Sequence, residues 1–377
     1  EYAALVGEVW GTGTGAGLIR RGGVPLDETL RELKLAPDVA WPAHPAVAGE
    51  GGFRHIHRRT PEADIYFVFN HSNRPATGEV NFRVAGRRPE FWNTVTGTRV
   101  DAPVFRMSGG SATVPLSLEP YGSTFVVFRR PLPARWVEST APALAPHGGS
   151  LIAPAGVPAL LRYNDGRTIT TPASKLPADL AIAGPWRVAF VDGRGAPPEV
   201  TFDQLQSWTD HTHPGVKYYS GVAVYRAGFS ASTVPVDAAA ILHLGAVADL
   251  AEVRVNGASL GVLWQPPFRV EVTRLLQPGE NTLEVRVANR WINRIIGDES
   301  VPTELTYQKP GTNKFTDGKL ENLPAWLYDR SRLGEKRRVS FTTWKHYSAD
   351  SPLVSAGLIG PVRIEWRAVI VPSVDGP

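Results

Sequence analysis

At 377 residues, with 42% hydrophobic and 20% charged side chains, the chain is long enough for two or three globular domains, each with its own core. No apolar run approaches the roughly 18–20 residues that span a bilayer, and a net charge of +4 without any Lys/Arg block offers no footprint for nucleic acid. The absence of Cys excludes disulfides, thiolate metal sites and thiol catalysis together, while leaving the compartment open.

Residues 1–45 read as the tail of an upstream α/β domain. A short apolar run around Leu5, Val6 and Val9 is followed by glycines 11, 13, 15 and 17. Leu26, Leu30 and Leu33 then recur at helical spacing between Pro25 and Pro37. One strand and one helix cannot bury a core, so the sequence is expected to be part of a longer product, as Glu1 and the single internal Met107 also suggest. The glycines superficially match a dinucleotide loop, but no helix opens on them and no acidic residue follows at the required strand end. A turn is the reading that survives.

Over 46–132 the period changes to two. Ile65, Phe67 and Phe69 alternate with Tyr66 and Val68, and Val80, Phe82 and Val84 with Asn81 and Arg83. Turn signals recur at Asn73-Arg74-Pro75, Thr96-Gly97 and Gly109-Gly110. This predicts a small antiparallel, immunoglobulin-like β-sandwich. Residues 133–180 become rich in Ala and Pro and read as a linker or strap, although Leu160–Tyr163 could pair as a strand. From 181 to 377 strand signals return: Val222 and Val224, Ile241–Leu244, Val253 and Val255 before Asn256-Gly257, then Leu283–Val287 and Val362–Trp366. Asn-Gly is the strongest short hairpin signal, because a type I′ turn needs φ > 0 at both central residues. The fold class is therefore all-β, as tandem sandwiches. Residues 289–360 lack a strand pattern yet carry Trp291, Tyr307, Trp326, Tyr328, Trp344 and Tyr347, which predicts an ordered, functional loop.

The strings Leu244-Gly245-Ala246-Val247-Ala248, Val253-Arg254-Val255-Asn256-Gly257 and Pro267-Phe268-Arg269-Val270 resemble the galactose-binding-like jelly roll attached to family 2 glycosidases. Asn289-Arg290-Trp291-Ile292-Asn293-Arg294, Thr343-Trp344-Lys345-His346-Tyr347 and Ser355-Ala356-Gly357-Leu358-Ile359-Gly360-Pro361 resemble the C-terminal region of bacterial α-L-rhamnosidases, glycoside hydrolase family 106. Asp64–Asn70, Glu90-Phe91-Trp92 and Leu118–Ser123 agree. The resemblance implies a catalytic barrel upstream in the same polypeptide, a rhamnose-containing glycan as partner and an extracytoplasmic location. It also implies that the acid/base carboxylates lie outside this chain, so no catalytic residue is assigned. Sandwiches of this type often hold calcium, structural or at an active site, but no spacing in the sequence places one.

The sugar-binding candidates are Trp291, Asn293, Arg294, Asp298, Trp344, Lys345, His346 and Tyr347. Flat aromatic faces cover the C–H faces of a pyranose, while amide, guanidinium and imidazole groups pair with hydroxyls. The plainer alternative is that the tryptophans pack the loop and Asp298 fixes it through backbone or Arg294. A second cluster holds Trp208, His211, Tyr218 and Tyr219, with Asp210, His213 and Lys217 beside them. Its two histidines suggest a metal only weakly, because no third ligand is placed by spacing. Glu299 and Asp350 are the other carboxylates of the loop. Besides an accessory portion of a glycosidase, the chain could be a free-standing glycan-adhesion module. A lyase using Lys217, Tyr218 or His346 is a third reading, which the family resemblance opposes.

Overall fold

The computed structural model describes residues 26–41, 52–141, 144–302, 305–309, 318–329 and 338–372. The apolar run at Leu5–Val9 and the glycines 11 to 17 lie outside them. The described residues fall into two compact units, one within 26–139 and 162–167, the other within 140–161 and 168–372.

The first unit is a sandwich of two antiparallel sheets. One sheet has the strand order 53–59, 64–70, 123–131, 87–93, 99–101 and the other 39–40, 76–82, 111–118, 106–108. Strict alternation decides which side chains turn inward: Tyr66, Val68, Val126 and Phe128 from one sheet meet Val80, Phe82 and Val114 from the other, all fully buried. The rings of Tyr66 and Phe82 meet edge to face at 4.8 Å. Helix Leu26–Glu32 falls where leucine spacing predicts it, and Val39–Ala40 pairs with Asn81–Phe82 as an edge strand of this sandwich.

The second unit repeats the principle on a larger scale. One sheet runs 145–147, 150–153, 363–370, 238–243, 269–271, with 180–181 also on strand 363–370; the other runs 199–202, 186–190, 222–231, 279–288, 250–255, 258–263. A single apolar cluster draws Trp366, Ile364 and Leu242 from the first and Trp186, Tyr225, Val253 and Val285 from the second. The Ala/Pro-rich stretch is thus not a free linker where it forms Ser150–Ala153. Leu151 and Ala153 alternate inward there at 1% and 0% exposure. The strand is only four residues long and stands in an Ala/Pro-rich stretch, so composition alone did not reveal it.

Asn256 and Gly257 join Leu250–Val255 to Ala258–Leu263 with φ of 50° and 82°, the geometry the Asn-Gly signal requires. The Asn256 amide also donates to the Leu275 carbonyl and accepts from the Thr282 N–H, both at 2.8 Å. Replacing Gly257 by Val forces a β-branched side chain into positive φ. The expected loss is about 1–2 kcal/mol of unfolding free energy, read from a shifted urea midpoint.

His243, on strand Ala238–His243, lies 2.9 Å from Glu365, a partner that favours the imidazolium. Burial, aided by the Arg363 cation, outweighs it and pushes the imidazole below its ordinary value. A depressed His favours the folded state while neutral, so that contribution is present above about pH 6.5 and is lost as pH falls through the lowered value. The thermal midpoint is therefore expected to drop between about pH 7 and about pH 5, and His243→Gln to flatten part of that drop.

Candidate functional site

The long connection of the second unit leaves strand Gly279–Ala288 and is tied down at once. The Asn289 amide accepts from the Gly221 N–H at 2.9 Å and donates to the Tyr219 carbonyl at 3.0 Å. Ser220 Oγ donates to the Arg290 carbonyl at 2.9 Å and accepts from the Arg294 N–H at 3.3 Å. These bonds bring two clusters, far apart in sequence, side by side. Helix Ile292–Asp298 follows, with Ile296 fully inside. At Gly297 a Cβ would stand 2.6 Å from the Tyr218 ring, so only glycine lets that ring lie on the helix.

Three of the sugar-contact candidates serve the protein itself. Asn293 is 1% exposed, and its amide donates to the Val354 carbonyl at 2.7 Å and accepts from the Val354 N–H at 2.9 Å. Asp298 is wholly buried; one oxygen pairs with Arg294, and the other accepts from the N–H groups of Val339 and Ser340 and from Ser340 Oγ. Those donors match what a carboxylate can accept. Arg294, itself part of the helix, is 8% exposed and pairs with Asp298 one turn on. Arg338 closes the arrangement by donating to the Asp298 carbonyl at 3.0 Å and pairing with Glu299. With their polar atoms turned inward, Asn293, Arg294 and Asp298 are not a sugar-contact surface.

The remaining candidates face outward. Trp291, 46% exposed, caps the N-terminal end of the helix with the Arg194 guanidinium 5.3 Å from its ring centre. Trp344 is 38% exposed, with Lys319 Nζ 6.0 Å from its ring. Lys345 Nζ lies 5.7 Å from the Tyr307 ring and 3.8 Å from Glu299. His346 is exposed and Tyr347 half-buried, with ring centres 6.5 Å apart. Trp291 and Glu299 flank a seven-residue helix, which at 1.5 Å per residue separates them by about 12 Å. The aromatic surface therefore has two patches along one helix, each a flat ring beside a cation.

The second cluster is mostly interior. Trp208 and Tyr219 are fully buried, the Trp208 indole N–H bonded to Tyr225 and the Tyr219 hydroxyl donating to the Val222 carbonyl at 2.8 Å. Tyr218 is half-buried against Gly297. His211 Nδ1 accepts from the His213 N–H, and His213 Nδ1 accepts from the Gly215 N–H, both at 3.0 Å. Burial, with a smaller contribution from His213, pushes the His211 imidazole below its ordinary value. Both rings act as turn caps rather than as a ligand pair. Among the described residues no three His, Asp or Glu side chains converge to hold a metal ion.

Sequence reasoning missed Arg194, Lys319 and Arg338, which reach the site across long chain separations without a local signal. The helix itself had one: Ile292, Ile295 and Ile296 stand at the spacing of one helical face.

A family model described as alpha-L-rhamnosidase, glycoside hydrolase family 106, matches residues 1–105. The solved rhamnosidase from Novosphingobium sp. PP1Y is 30% identical, with a TM-score of 0.70 over 97% of this chain and 28% of that one. A Formosa agariphila protein, named provisionally as a β-glucuronidase, is 37% identical over 211 residues, covering 55% of this chain and 17% of its own length. This chain thus spans less than a third of either relative. It carries a rhamnosidase-like region and is related to glycoside hydrolases.

Replacing Asp298 by Ala leaves Arg294 charged and buried without its partner. Unfolding free energy is expected to fall by about 3–5 kcal/mol, measured by urea denaturation. Trp291→Ala, at an exposed position, is expected to stay within about 1 kcal/mol of the parent in the same measurement.

Proposed function

We propose that this chain is the glycan-facing, accessory part of an α-L-rhamnosidase-like glycoside hydrolase, and that the outward patches of its second unit bind a rhamnose-containing glycan. The observation that carries this is the match to a rhamnosidase over nearly the whole chain. A helix whose buried polar residues hold Trp291 at one end and the Trp344–Lys345 segment near the other supports it.

Exposed indole faces suit the apolar face of a deoxy sugar, and rhamnose offers a methyl group besides its ring C–H bonds. Lys345 and His346 supply donors to hydroxyls at the edge of the ring. Glycoside hydrolysis needs two carboxyl groups about 5–10 Å apart across the scissile bond. At this surface Asp298 is saturated with donors, and Glu299 is held by Arg338 and Lys345. Acid/base work is accordingly assigned to groups other than these two.

Titration of the chain with L-rhamnose and rhamnose-containing oligosaccharides by calorimetry, beside an aryl-rhamnoside hydrolysis assay, tests the reading. Saturable binding without turnover is expected, weakened about tenfold or more by Trp344→Ala, the loss of roughly one stacking contact. Turnover by this chain, or binding indifferent to both Trp291→Ala and Trp344→Ala, overturns it.

A further inference from the structure

A pocket of about 320 Å³ opens on the first unit, where Arg59, Arg83 and Arg87 surround the single carboxylate of Asp64. Asp64 is 6% exposed and already engaged: one oxygen accepts from His57 Nε2 at 3.0 Å and from Arg59 Nε at 2.6 Å. His57 reaches a second carboxylate through Nδ1, 3.1 Å from Asp38, and Asp38 is paired in turn with Arg83. The chain of contacts neutralises both acids and still leaves the pocket with more cations than anions.

Arg87 is the most loosely held of the three guanidinium groups. Its nearest carboxylate oxygen, on Asp64, is 3.7 Å away, beyond hydrogen-bond distance, and its side chain is 33% exposed. A guanidinium carries five N–H donors in a planar fork that fits the paired oxygens of a carboxylate or sulfate. Beneath the same charges lies Tyr66, wholly buried, stacked on His57 at 4.1 Å, with a hydroxyl that has no partner in the protein. Burial, then Asp64 and Asp38, push that phenol upward, so it remains a neutral donor among the charges.

We infer that this pocket is an oxyanion subsite, in which Arg87, with Arg59 and Arg83, binds the carboxylate or sulfate group of an acidic sugar unit. That the anion is carried by a sugar rests on the proposed function; the oxyanion chemistry does not. Arg59 and Arg83 are 61% and 53% exposed, so solvent screens them, and the subsite is expected to select an anionic unit within a longer glycan rather than bind a free ion tightly.

The full chain is titrated at constant ionic strength with sodium sulfate, with D-glucuronate and with D-glucose, following arginine Nε–H resonances by NMR. Saturable shifts with glucuronate, sulfate or both, and none with glucose, are expected. A response to glucuronate alone assigns the pocket to carboxylates, and one to sulfate alone assigns it to sulfate esters. Arg87→Gln is expected to weaken binding about tenfold at an unchanged melting temperature. Arg59→Gln, at a more exposed position, gives the same reading should the first variant unfold. Absence of saturable shifts, or shifts indifferent to both variants, overturns the inference. Neutral rhamnose binding at Trp344 in the other unit is a separate measurement, so either idea can fail alone.

Discussion

A carboxylate removed from water must find donors for its lone pairs or carry a heavy desolvation cost. Asp298 finds them in Arg294, in two consecutive backbone N–H groups and in a serine hydroxyl. Its position fixes residues 339 and 340 against the helix. Arg338 then bridges the Asp298 carbonyl to Glu299, and Glu299 in turn faces Lys345. Residues 338–340 of an otherwise irregular connection acquire a defined place because one buried charge dictates where its donors stand. The exposed rings of Trp291 and Trp344 lie outside this interior chemistry, beside Arg194 and Lys319 respectively.

Most of the sheet structure was legible in the sequence because period-two alternation and turn residues are local signals. The alternation at 65–69 and 80–84 announces strands, although the structure decides which face turns inward, and Asn256-Gly257 announces a hairpin. Legibility failed where the physics was not local. Ser150–Ala153 looked like linker because its two aliphatic residues stand in an Ala/Pro-rich stretch; its pairing with Val369 and Ile370 decides its state. The site was legible as a set of residue types but not as a division of labour. Nothing in the order Trp291-Ile292-Asn293-Arg294 tells which side chain faces water, until the helix assigns Trp291 to the surface and Asn293 to the interior.

Two charge clusters, one in each unit, are built differently. In the second, Asp298, Arg294 and Arg338 are buried, with Arg294 paired to Asp298 and Arg338 to Glu299, and they order the backbone. In the first, Glu90 is 1% exposed yet pairs with Arg129 and Arg130, whose side chains remain about 40% exposed. Arg129 also flanks the Trp92 ring at 5.5 Å, with Arg99 at 4.2 Å. Guanidinium groups half in solvent can change partners at small cost, whereas wholly interior ones cannot. The Glu90 cluster is thus electrostatically adaptable, and the Asp298 cluster electrostatically rigid.

Strand Arg363–Ile370 sits inside its sheet, with Ala238–His243 on one side and both Ser150–Ala153 and Leu180–Ala181 on the other. Its inward residues Ile364 and Trp366 also belong to the core of the second unit. During synthesis from the N-terminus, residues 150–153 wait for partners that leave the ribosome more than two hundred residues later. Until then the neighbouring strands present open edges, which invite pairing with other chains. Completion of the sandwich is therefore a late, long-range event, and the interval before it is when this polypeptide is most exposed to misassembly.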